Sequence, residues 1–183
     1  ETRGATMARS TNRLPVAALV VLAVLVALGT SGTDGRSTAG AAVDPGTGDV
    51  VGEFVYGITP ARLLDTRPGG ATTDGQFVGG GVLGAATPLT LTVAGRGSVP
   101  ADATAVMLNV TVVGPVDPGY LSVWPSGPFP GTSNLNFAAG SIVPNMVFSA
   151  LTGGSLRIMA SGGAPHVVVD VVAYLSDQPA AAA

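Results

Sequence analysis

Ala105-Val106-Met107-Leu108-Asn109-Val110-Thr111-Val112-Val113 is the stretch on which the fold turns. Val106, Leu108, Val110 and Val112 recur at every second position, with Met107, Asn109 and Thr111 between them. A helix would scatter those four aliphatic side chains around its circumference, whereas an extended strand lines them along one face. The same period appears on both sides. Leu89-Thr90-Leu91-Thr92-Val93 alternates before Gly95, and Gly119 to Trp124 sets Leu121 and Val123 against Tyr120, Ser122 and Trp124. Asn134 to Phe137, Met146 to Leu151, the pair Leu156 and Ile158, and His166 to Leu175 continue the series. With the segment around Leu63, the pattern predicts about eight short strands bounded by turn signals such as Asp117-Pro118-Gly119 and Gly162-Gly163. Connections this short favour antiparallel pairing, because parallel neighbours need long crossovers. The expectation is an all-β, antiparallel sandwich over residues 54–175, with a closed barrel as the alternative. Gln76 to Ala86, which carries Gly79-Gly80-Gly81, reads as the longest loop and as a contacting surface.

Ahead of this body, Arg9 and Arg13 precede an apolar run from Leu14 to Leu28. That order is the charged and apolar regions of a secretory signal peptide, and the run is shorter than the roughly 20 residues a spanning helix needs. Residues 1–41 are therefore expected to be an N-terminal extension and signal peptide, with Ala39-Gly40-Ala41 a fitting cleavage site. An uncleaved signal would be the only membrane contact. Residues 42–53 read as a flexible linker and 176–183 as a disordered tail. The expected location is secreted or cell-surface. Among the 183 residues there is no cysteine, which excludes disulfides and thiolate chemistry and leaves core packing to hold the fold. A net charge of -3 and a charged content of 10% give no basic surface for nucleic acid.

From residue 50 onward there are four Arg and no Lys, and two of those Arg flank the Asp in Arg62-Leu63-Leu64-Asp65-Thr66-Arg67. Read in order, Pro60-Ala61-Arg62-Leu63-Leu64-Asp65-Thr66-Arg67, Leu108-Asn109-Val110-Thr111, Gly119 to Pro125, Ser133-Asn134-Leu135-Asn136-Phe137 and His166 to Tyr174 form a motif series. The series resembles an uncharacterised β-module of secreted actinobacterial proteins, over about residues 57–175. In that family the module occurs alone, in tandem, or attached to exported hydrolases such as peptidoglycan amidases. The resemblance implies export and little about activity, since the module has no established catalytic role to carry over. Ala173 departs from it, since the family usually has Gly before the aromatic residue.

Chemistry is sparse. His166 is the only histidine, and it shares a predicted strand face with Asp170 and Tyr174, yet four residues of strand put His166 and Asp170 about 13 Å apart. A Ser-His-Asp arrangement would need Ser133 or Ser149 brought in by the fold, and no G-x-S-x-G elbow is present. The acidic residues are scattered, with no calcium-loop spacing. The reading is a non-enzyme with no cofactor, no metal and no nucleic-acid partner, a hydrolase being the remote alternative. Asp170 inside a Val-rich strand needs a partner, and Arg62 and Arg67 are the candidates; with Asp65 they form an expected structural ion-pair lock between the two ends of the module. For ligands, Tyr120 and Trp124 share a strand face, and Asn134 and Asn136 lie nearby. Aromatic rings stacking on sugars, with amides taking the hydroxyls, make a cell-wall polysaccharide or other glycan one expected partner. The same amphipathic face also fits a structural or adhesive contact with an envelope protein.

Overall fold

Alternation in Ala105–Val113 translates directly into burial: Val106, Leu108, Val110 and Val112 are fully buried, while Met107, Asn109 and Thr111 stay half-buried on the other face. The computed structural model describes residues 42–43, 50–51, 54–84 and 87–178. In chain order the strands are β1 (Ala42–Val43), β2 (Val50–Val51), β3 (Phe54–Asp65), β4 (Leu89–Thr92) and β5 (Ala105–Val113). They continue with β6 (Gly119–Trp124), β7 (Leu135–Phe137), β8 (Ile142–Ala150), β9 (Ser155–Ser161) and β10 (His166–Ser176). β1 and β2 pair in a two-stranded ladder of their own, inside the stretch expected to be a linker. The other eight form two four-stranded antiparallel sheets, ordered β3-β10-β5-β8 and β4-β9-β6-β7. No strand is shared between them, so the fold is a sandwich and the barrel alternative is set aside.

Between the sheets, Val167, Val169 and Val171 of β10 and Leu63 of β3 join the β5 row. They face Leu91, Leu121, Leu135, Phe137, Leu156 and Ile158 from the second sheet. Each fully buried Val, Leu or Ile contributes about 1.5–3 kcal/mol of burial free energy, and that aliphatic slab does the work disulfides do in smaller exported domains.

Two irregularities in β10 place the polar residues. The register of β10 on β3 shifts between Val169 and Asp170, where Leu63 is the extra residue: Val169 pairs with Leu64 and Asp170 with Arg62. Residues three apart on a regular strand face opposite ways, so Arg62 and Asp65 should diverge. The bulge at Leu63 turns both onto the outer face and lets Leu63 and Leu64 both enter the core. The second shift, between Val171 and Ala173, rephases the end of β10. Tyr174 consequently packs against the core and stacks on Tyr56 with ring centroids 4.9 Å apart. It does not share a face with His166 and Asp170, as unbroken alternation predicts. The chain end is also more ordered than expected up to Gln178: Ser176 is buried, and the Tyr56 hydroxyl donates to the Gln178 carbonyl at 3.0 Å. Residues 1–41, expected to be an N-terminal extension and signal peptide, and residues 179–183 lie outside the described residues.

Candidate functional site

Each sheet has an outer face, and a loop folds over part of each. On the first sheet the covering segment comes directly after β3. Asp65 N donates to Phe77 O, Gly79 N to Asp65 O, Gly81 N to Thr66 O and Thr73 N to Arg62 O. The stretch expected to be a free contacting loop is therefore pinned along β3 through Leu83, whose N–H donates to Pro165 O; Ala85 and Ala86 lie outside the described residues.

Under this strap lies the charge network. Arg62 Nε donates to Asp170 Oδ1 at 2.8 Å and its Nη2 to Oδ2 at 3.2 Å, a side-on bidentate pair across adjacent strands. Arg67 Nε and Nη2 grip Asp65 at 2.9 and 2.7 Å, its own N–H adds a third bond at 3.2 Å, and Arg62 Nη1 reaches Asp65 at 3.4 Å. The Asp65 side chain is 1% exposed, against 38% for Arg62 and 40% for Arg67. Hydrogen bonding from the Arg67 side chain overrides the burial penalty and holds the Asp65 carboxyl down at about 2. The bond to Asp170 raises the Arg62 guanidinium above its ordinary value, and the bond to Asp65 does the same for Arg67. Gly70 closes against this carboxylate: a Cβ there would sit 2.5 Å from Asp65 Cγ. All four residues expected to form the lock, Arg62, Asp65, Arg67 and Asp170, are in one network with every charge matched. That leaves no spare cation in it to hold an anionic ligand.

His166 lies beside the network without entering it. Its Nδ1 is 3.1 Å from the Thr66 carbonyl oxygen and 3.3 Å from Thr66 Oγ1, while Thr66 Oγ1 also accepts the Val167 N–H at 2.9 Å. Among the described residues no three His, Asp or Glu side chains gather as a metal site.

One tie had no sequence precedent. Arg96, in Gly95-Arg96-Gly97, is buried, with its guanidinium spread over four groups. It donates to Asp74 at 2.6 and 2.9 Å, to the Leu63 carbonyl at 2.8 Å and to the Thr92 carbonyl at 2.7 Å, and it covers the Phe77 ring at 4.8 Å. Leu63 is on β3 and Thr92 on β4, so this side chain joins the edges of the two sheets and fastens the strap over them. Hydrogen bonds from Arg96 push the Asp74 carboxyl well below the usual carboxylate range. The only hint in the sequence is a rare Arg between two glycines. Gly97 explains one of those glycines: it has φ of 53°, and a Cβ there would lie 2.7 Å from Ala61 Cβ and 3.0 Å from Leu63 Cδ2. Gly97→Ala is expected to destabilise the domain by about 1–3 kcal/mol. A urea titration reads it as a lower midpoint with an unchanged slope.

On the second sheet the loop 125–133 folds over the outer face. Ser122 Oγ donates to Thr132 O, Trp124 Nε1 donates to Gly127 O at 3.3 Å, and Phe129 packs edge-on to Trp124 with centroids 5.8 Å apart. Trp124 is only 4% exposed. The expected role of Trp124 as a sugar-stacking surface is therefore corrected: its ring is an anchor for the loop. Asn134 is also committed, its Oδ1 accepting the Val123 N–H at 2.6 Å and its carbonyl accepting Asn145 Nδ2. Of the four expected ligand residues, Tyr120 and exposed Asn136 remain available as a cross-strand pair, with Phe129 stacked on Tyr120 at 6.3 Å.

The uncovered surface is elsewhere, on the β5/β8 half of the first sheet. Ile142 is 69% exposed, Met146 51% and Phe148 59%. They stand with Pro144 on the outer face of β8, opposite Met107, Asn109, Thr111 and Val113 of β5. Sequence reasoning missed this face, because an apolar strand pattern does not say whether its outer side is covered. A usable signal existed: not one charged residue lies between Asp117 and Arg157. No family model, no curated protein and no solved structure matches this chain.

Proposed function

We propose that this chain is an exported, non-catalytic contact module that works at the cell envelope or outside it and binds protein through the uncovered β5/β8 face. One observation carries the reading: Ile142, Met146 and Phe148 are exposed side by side on a sheet face that has no charged residue on β5 or β8. A contiguous exposed apolar patch on a small domain marks an interaction surface, whereas single exposed apolar residues are ordinary. The charge network supports the same reading by staying saturated and structural. The signal-like segment Leu14–Leu28 supplies the case for export. The resemblance to secreted actinobacterial modules agrees with it.

A glycan reading keeps a smaller foothold in Tyr120, Phe129 and Asn136. Retention assays separate the two. Intact envelopes are expected to hold the exported chain, and Met146→Lys to release it, while purified peptidoglycan and arabinogalactan hold neither. Retention on purified glycan that is abolished by Tyr120→Ala and untouched by Met146→Lys would reverse the assignment.

A further inference from the structure

We infer that the β8 edge bordering this face is taken by a second copy of this chain, joined edge to edge in a two-fold, antiparallel dimer that merges the two apolar faces into one. This rests on the contact reading above and gives it a partner. The argument starts from peptide groups. At the two ends of β8, Leu151 N donates to Thr104 O and Gly114 N donates to Ser141 O. Peptide groups alternate along a strand, so the odd-numbered residues of β8 bond to β5 and the even-numbered ones turn outward. Ile142, Met146, Phe148 and Ala150 thus aim N–H and C=O at the open edge of the sheet, where no strand pairs with them; the Ala150 carbonyl alone accepts a bond, at 3.0 Å from the Ser149 hydroxyl beside it.

The opposite edge of the same sheet is treated differently. The peptide groups of β3 at Arg62, Leu63 and Asp65 are taken by Thr73, Arg96, Phe77 and Gly79. Edges left bare are commonly protected by charge, above all by Lys. β8 has none, and its one blocking residue, Pro144, interrupts only the first half of the ladder. From Met146 to Ala150 the edge is continuous, and its midpoint is Phe148.

A second β8 fits this edge without any new chemistry. An antiparallel strand pairs with itself about a two-fold axis, and an axis beside Phe148 sets Phe148 against Phe148 and Met146 against Ala150. The apolar side chains of both copies then lie on one face of a continuous eight-stranded sheet. With no charge on β8 or on neighbouring β5 and β7, two acidic chains can meet there without repulsion. An isologous contact of this kind closes, so it yields a dimer and not a fibre.

The test uses the chain from residue 42 onward, which keeps every core residue and drops the apolar N-terminal run. Sedimentation velocity over an about hundredfold concentration range is expected to show a dimer that salt does not dissociate. Met146→Lys should weaken dimerisation at least about tenfold and leave the thermal midpoint in place at dilutions where both chains are monomeric, because that side chain is then already in solvent. Since the chain lacks cysteine, Phe148→Cys supplies a unique probe. Cα atoms of a hydrogen-bonded pair lie about 5.5 Å apart, within disulfide reach, so mild oxidation should give a covalent dimer. Thr90→Cys on the other sheet should not. A monomer at every concentration overturns the inference. So does a dimer that Met146→Lys leaves intact and Phe148→Cys fails to crosslink. If the chain is monomeric while Met146→Lys still abolishes envelope retention, the contact reading stands and only the choice of partner falls.

Discussion

Arg96→Ala is expected to lower the thermal midpoint by about 10–20 °C, the largest effect of any single change outside the aliphatic core. Removing the guanidinium strands three kinds of partner at once. The Leu63 and Thr92 carbonyls lose buried donors, Asp74 loses the cation that holds its carboxyl ionised, and the Phe77 ring loses its cover. Each acceptor left without its donor costs about 1–3 kcal/mol, and a domain of this size loses a few degrees of midpoint per kcal/mol. Asp74→Ala should cost less, because the two carbonyl bonds of Arg96 survive, although the guanidinium it leaves without a counter-charge is only 4% exposed. Arg96→Lys should recover only part of the loss, since one ammonium cannot serve acceptors on β3, β4 and the strap together. Thermal melts of the three variants check this. Equal losses for Asp74→Ala and Arg96→Ala would show that the carboxylate, and not the carbonyl bridge between sheets, carries the tie.

How far such features can be read in advance depends on how local their causes are. Period-two alternation is set by the pleat, so Val106 to Val112 and Val167 to Val171 announced both the strands and the core. The partnership of Asp170 with Arg62 was also legible, because a carboxylate among valines demands a cation and few were on offer. Bulges were not. Nothing in Leu63-Leu64 or Val171-Val172-Ala173 states that the register slips there, and each slip reverses the face of every later residue in the strand. Trp124 shows a second limit: alternation assigns a side chain to a face and is silent about what covers that face. The loop 125–133 buries Trp124, while nothing described buries Phe148, and the two strands look alike as patterns. Arg96 shows a third, since it collects acceptors from β3, β4 and the strap that only the closed sandwich brings together.

Asp65 gives the second large effect, and it carries a pH signature of its own. Asp65→Ala is expected to cost about 2–3 kcal/mol, less than Arg96→Ala because the Arg62 and Arg67 left behind are well exposed and can rehydrate. The pH dependence originates in the depressed carboxyl. Held at about 2 in the folded chain against 3.8 for the free group, Asp65 binds its proton more readily after unfolding. Its contribution, at most about 2 kcal/mol, is therefore complete above pH of about 4 and disappears as pH falls toward 2. Asp65→Asn keeps the shape of the side chain and removes the titration. Its stability should fall short of wild type at pH 6 and converge on it near pH 2. Asp74 is depressed as well, so the variant curve still declines in acid, and the difference between the two curves isolates Asp65. A constant gap between wild type and Asp65→Asn from pH 6 down to 2 would mean that the carboxylate matters for its shape and hydrogen bonds alone. In that case the Asp65–Arg67 corner would be held by packing and hydrogen bonds, and the Arg62–Asp170 pair would be the one charged tie left between β3 and β10.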